Sequence, residues 1–132
     1  MRMNRHVNRQ RIVLAMFLSI SGMPSIAAAP NPQAEKQLVA KVFTDGTLFG
    51  FAKACKVSEP ELKVFYDKTF ASSRRLGMST VPHYSQQDFR RDFQNGISTA
   101  DRFSASVAPT SKAYIKNCEE VRQKIKSVVG AK

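Results

Sequence analysis

Apolar residues recur along most of this chain at intervals of three and four, the spacing of one helix face. The recurrence begins after Asn31-Pro32, which reads as an N-cap followed by proline at the first helical position. Leu38, Val42, Phe49 and Ala52, with Val39 and Phe43 beside them, predict a first helix over 33–56. Asp45-Gly46 interrupts it, either as a turn that splits the segment or as a glycine where two helices pack closely. Leu48, Phe49 and Phe51 step around this helix, so the stretch is apolar on more than one side. That pattern suits a central helix or the lip of a binding surface.

A capping box, Ser58 with Glu61, and Pro60 in the first turn open a second helix over 59–76. Its stripe is Leu62, Phe65, Tyr66, Thr69, Phe70 and Leu76, and Gly77 is placed as its C-cap. Ser85 and Asp88 form a second box ahead of a helix over 86–107, with Phe89, Phe93, Gly96, Ile97, Ala100, Phe103 and Val107 on one face. Ala108-Pro109 ends it. Thr110 or Ser111 caps a fourth helix over 111–129, whose stripe of Tyr114, Cys118, Val121, Ile125 and Val128 is the most regular. Glu120 and Lys124 supply an i,i+4 pair on its wet face. Together these elements predict an all-α fold, a small up-and-down four-helix bundle occupying residues 30–132.

The first 29 residues belong to a different pattern. Arg2, Arg5, Arg9 and Arg11 precede a short apolar run, and the small-residue stretch SIAAAP follows. Positive, apolar and small-residue regions in that order make a cleavable secretory signal peptide, cut after Ala27, Ala28 or Ala29. The apolar run is too short for a transmembrane anchor, which needs about 20 residues. The expected location is therefore periplasmic, in an oxidising compartment. There, two cysteines in a chain of this size pair with each other, and Cys55 with Cys118 is the expected disulfide. In the chain-entropy model, closing that loop stabilises the fold by about 4 kcal/mol.

Charge narrows the partner. Of 21 basic residues, four fall in the leader and none of the 10 acids does, so 17 cations against 10 acids leave +7. No nucleophile elbow, zinc-protease motif, P-loop or Rossmann glycine pattern occurs. His83 is a lone loop histidine, Asp88 and Asp92 sit beside Arg90 and Arg91, and no spacing fits a metal site. A non-enzyme without cofactor or metal is the expectation. The phenylalanines fall on core stripes and not among the arginines, which argues against a nucleic-acid stacking surface. Anionic membrane surfaces would also attract this charge, although no helix sets a basic face against an exposed apolar one.

A hairpin of the second and third helices would bring Arg74, Arg75, Arg90 and Arg91 to one end of the bundle, around Met78, Val81 and Tyr84. Arg74 and Arg75 are explained by the dipole of the helix they end, which makes Arg90 and Arg91 the better functional candidates. Arginine, tyrosine and methionine are enriched at interfaces, although Val81 and Tyr84 could equally plug the bundle's open end. The expected function is a monomeric or weakly dimeric binding module, an inhibitor, immunity-type or escort protein for an acidic protein partner. The alternative is a structural or assembly subunit of an envelope or secretion complex, with Leu48, Phe49 and Phe51 as its contact. A stress chaperone is a third reading, disfavoured by the well-formed caps.

Overall fold

The computed structural model describes residues 31–132; the expected signal peptide lies outside them. Four helices follow one another: α1 (Pro32–Ala54), α2 (Glu59–Thr80), α3 (Gln86–Ser106) and α4 (Lys112–Gly130). No strand occurs among the described residues, and Cys55 is bonded to Cys118. No helix among them is long and apolar enough to cross a membrane.

α1 is one unbroken helix through Asp45-Gly46. Asn31 caps it, accepting from the backbone N–H groups of Gln33 and Ala34. Gly46 is there for space. A Cβ on it would lie 2.1 Å from the Phe93 carbonyl oxygen, and one on Gly96 would lie 2.2 Å from that of Phe43. One turn further on, a Cβ on Gly50 would meet the Ala100 methyl at 2.6 Å and the Ile97 backbone at 3.1 Å. The backbones of α1 and α3 therefore touch directly, with no side-chain layer between them over this stretch. Phe43 beside Gly96, Gly50 beside Ile97 and Phe51 beside Phe103 set the two helices running in the same direction.

α2 returns antiparallel to α1, with Phe65 near Phe49, Ser73 on Lys41 and Gly77 on Leu38. It does not stop at Gly77. The helix continues to Thr80 and ends at Val81, whose position before Pro82 disfavours the helical region. Gly77 is buried inside the helix and makes room for the Leu38 side chain, which a Cβ at this position would meet at 3.3 Å. Ser58 also departs from expectation: its hydroxyl donates to the Glu61 carboxylate at 2.7 Å and accepts no backbone N–H. The Ser85–Asp88 box at the start of α3, by contrast, is fully formed. The expected Glu120–Lys124 pair does not close to ion-pair distance.

Helix neighbours differ from those of a square bundle. α1 touches all three other helices, α4 packs on α1 and α2, and α3 and α4 do not meet. Two apolar clusters result. One joins Ala52, Cys55, Leu62, Phe65, Cys118, Val121 and Ile125; the other joins Leu38, Val42, Val81, Phe89 and Phe93. Phe49 links them, its ring centroid 6.4 Å from Phe65 and 5.4 Å from Phe93. Leu76 and Phe103, both placed on core stripes by spacing, are 40% and 56% exposed.

Polar side chains finish two helix ends. Arg122 donates to the Cys55 carbonyl at 2.6 Å and Tyr114 to the Ala54 carbonyl at 3.2 Å, so α4 caps α1 beside the disulfide. Lys68 of α2 donates in turn to the Val129 and Ala131 carbonyls at the end of α4.

Candidate functional site

The loop between α2 and α3 closes the end of the bundle opposite the disulfide. Val81 is 2% exposed and packs with Leu38, Val42, Phe89 and Phe93, so it is a plug of the core. Tyr84 folds back over the start of α3, its N–H donating to the Val81 carbonyl at 3.0 Å. Its hydroxyl donates to Asp92 at 2.9 Å. Burial, then that hydrogen bond, push the Tyr84 phenol well above the ordinary tyrosine range.

Arg91 belongs to the same network. Its Nε and Nη2 donate side-on to the two oxygens of Asp92, at 2.9 and 3.2 Å, and its Nη1 donates to Asp88 at 2.9 Å. Asp92 is 5% exposed, and a buried carboxylate needs such matching. The Asp88 carboxyl is held below the usual range by the Ser85 backbone N–H, then by the Ser85 hydroxyl. The hydrogen bond to Asp92 is the main reason the Arg91 guanidinium is held more firmly protonated than usual. Arg91 is therefore accounted for by structure.

The other arginines are not. Arg74, Arg75 and Arg90 are exposed and form no ion pair among the described residues. Because α2 runs on to Thr80, Arg74 and Arg75 stand outside its last turn, and the helix dipole does not explain them. The ranking drawn from the sequence thus changes. Arg90 keeps its place, Arg91 loses it, and Arg74 and Arg75 gain. Met78 lies in the last turn of α2, between these arginines and the loop.

Beside Arg74 the surface opens into a cleft of about 410 Å³, between the second half of α2, the loop and the first turn of α3. Phe70, Val81 and Phe89 give it an apolar floor; Ser73, Tyr84 and Gln86 line its sides. Among the described residues Arg74 is the one charged residue lining it, and no acid does. A second, wider depression of about 600 Å³ between α1 and α3 is lined by Glu35, Lys36 and Asp92 together, a mixed charge that favours neither sign. Only the first combines apolar area with a single sign of charge.

Ser73 and Phe70 did not stand out as site residues in the sequence, but a signal was present. Leu62, Tyr66, Thr69, Ser73 and Gly77 follow one face of α2, so a serine on that face had to be buried. The alternative contact residues, Leu48, Phe49 and Phe51, are each half-buried and packed on the disulfide cluster. Phe51 sets its ring 5.6 Å from that of Phe103, and Phe49 is the link between the two cores. Among the described residues no group of three or more His, Cys, Asp and Glu side chains could hold a metal ion.

No protein-family model matches the chain, and no curated protein or solved structure shows significant similarity to it.

Proposed function

We propose that this protein is a non-enzymatic periplasmic binding module, an inhibitor, immunity-type or escort protein that engages an acidic protein partner through the loop end of its bundle. One observation carries the reading: three arginines without acidic partners among the described residues, Arg74, Arg75 and Arg90, flank the loop beside a cleft that has an apolar floor and no described acid. Unmatched guanidinium groups beside buried aromatic area are what interfaces concentrate. The net charge of the chain would steer an acidic partner toward it and make association sensitive to salt.

The test is capture of partners from the native periplasm by the wild type and by a R74E/R90E variant, washed at low and high salt. One acidic protein held by the wild type at low salt, released at high salt and absent from the variant is the expected result. Equal capture by both proteins would remove the arginine end from the interface. A second reading, a subunit of an envelope or secretion assembly, draws on Phe103 and Ile115, 56% and 51% exposed on helices that do not touch each other. It expects salt-resistant co-purification that F103S abolishes. Sedimentation of the purified chain expects a monomer or a weak dimer.

A further inference from the structure

We propose that the cleft between α2 and α3 is an anchor site for an apolar side chain that carries a carboxylate close beside it, the chemistry of an acidic peptide segment with a large hydrophobic residue. The proposal rests on the partner-binding reading and specifies the contact that reading leaves open.

The apolar half of the requirement comes from the floor. Phe70 and Phe89 meet edge to face, centroids 4.9 Å apart at 70°, and Val81 closes the inner end. A cleft of about 410 Å³ is large enough to take one such side chain together with a neighbouring carboxylate. Water over aromatic rings and a valine is readily displaced by an apolar group.

The anionic half comes from two donors. Arg74 stands at the edge of the cleft, exposed and without an ion pair among the described residues. Ser73 stands in the wall, 1% exposed. Its Oγ accepts from Lys41 Nζ at 3.3 Å, while no group among the described residues accepts its proton. A buried hydroxyl proton without an acceptor is disfavoured, so a ligand oxygen there would be stabilised. Tyr84 does not compete, because its hydroxyl is committed to Asp92. Asp92 and Asp88 do not repel an anion strongly, since Arg91 spans both. A cation would meet Arg74 alone, a neutral apolar group would leave Arg74 and Ser73 unanswered, and a bare anion would leave the floor wet. The carboxylate-bearing apolar group satisfies all three surfaces.

The measurement is a titration followed through backbone amide shifts, using residues 30–132, which hold all four helices, both clusters and the disulfide. Three probes separate the terms: N-acetylphenylalanine, its uncharged amide, and acetate. The acid is expected to shift Ser73, Arg74, Val81 and Phe89 with a Kd on the order of millimolar, as its size allows. The amide and acetate should each bind about tenfold more weakly. R74Q should reduce the acid to the affinity of the amide, and R102Q, an exposed arginine on α3 outside the cleft, should change nothing. Equal binding of acid and amide, shifts centred elsewhere, or an R74Q protein that binds as the wild type does would each overturn the proposal. The two readings fail separately. Binding of the acid without any acidic protein in the capture experiment would sink the partner and leave the anchor; the reverse would move the partner's contact off the cleft.

Discussion

Lys56 is the one non-glycine residue among those described with a positive φ, 62°, and it closes α1. Its N–H donates to the Lys53 carbonyl at 3.1 Å and that of Val57 to the Ala52 carbonyl at 3.0 Å, the two bonds of a Schellman ending. That ending usually places glycine where Lys56 stands, because a side chain there crowds the backbone. Lys56→Gly should therefore raise stability by roughly 1 kcal/mol, read as a shift in the urea midpoint with unchanged slope. A lower midpoint would mean that the lysine side chain contributes more than its backbone strain costs. Asp88 gives a prediction in pH. Its pKa is lower in the folded chain than the ordinary 3.8, so folding favours its carboxylate. The stabilisation it gives is complete above that ordinary value and is lost as pH falls through the lower folded one. Thermal melts of the wild type and D88N should differ at pH 6 and converge as the pH drops well below 4, where the wild-type carboxylate is protonated too. A gap that persists unchanged in acid would show that Asp88 acts through something other than its charge.

The contact between α1 and α3 depends on small residues meeting in register, Gly46 and Gly50 against Gly96 and Ala100. Helices this close give up interdigitating side chains for backbone packing, including weak Cα–H contacts to carbonyls. A methyl on Gly46 would overlap a backbone oxygen that cannot swing aside. The gain in helix propensity from alanine, about 1 kcal/mol, is too small to offset such an overlap. G46A and G96A should each cost at least about 3 kcal/mol and lower the melting temperature by more than ten degrees. G130A, with nothing within 4 Å of its Cβ, is the control and should be neutral or stabilising. Melts within a degree or two of wild type for G46A would mean that α1 and α3 can separate without loss. The cleft depends on the same contact, because α3 carries Phe89 and Gln86 to it, and α3 lies backbone to backbone on α1 but meets α2 through the rings of Tyr66 and Phe70. Loss of the α1–α3 seam should therefore weaken probe binding as well as folding.

The disulfide joins the C-terminal end of α1 to α4 across 63 residues, enclosing α2 and α3 in the loop. Its cysteines are 3% and 4% exposed, inside the cluster that α1, α2 and α4 share. Replacing both by alanine should cost about 4 kcal/mol, much of the stability of a domain this small. Reductant should act slowly on the native protein and quickly once urea is present, because the bond must be uncovered first. Mass spectrometry after thiol trapping follows both. Rapid reduction in native buffer would show that this end of the bundle opens readily. The candidate cleft lies at the other end, so probe binding is expected to survive in whatever fraction of the alanine variant remains folded.

Helix number, type and approximate limits could be read from the chain because they follow from local rules: apolar spacing, the Asn31 and Ser85 caps, and prolines that forbid continuation. The cysteine pair could be read as well, since two thiols in a small exported chain usually bond to each other, and Cys118 lies on an apolar stripe with Cys55 near the end of the first helix. Which helices are neighbours was not local information. Asp45-Gly46 admitted a turn or a close crossing, and only the presence of Gly96 opposite decides for the crossing. Gly77 carried the ordinary mark of a helix end, yet Leu38 from α1 packs against it and the helix runs on to Thr80. Arg74 and Arg91 looked alike as charges in a basic chain. Their difference lies in carboxylates: two of them hold Arg91, and Arg74 faces a cleft that no acid among the described residues lines. Periodicity records which face of a helix is buried. Which surface buries it, and which charges are thereby matched, is decided when the helices meet.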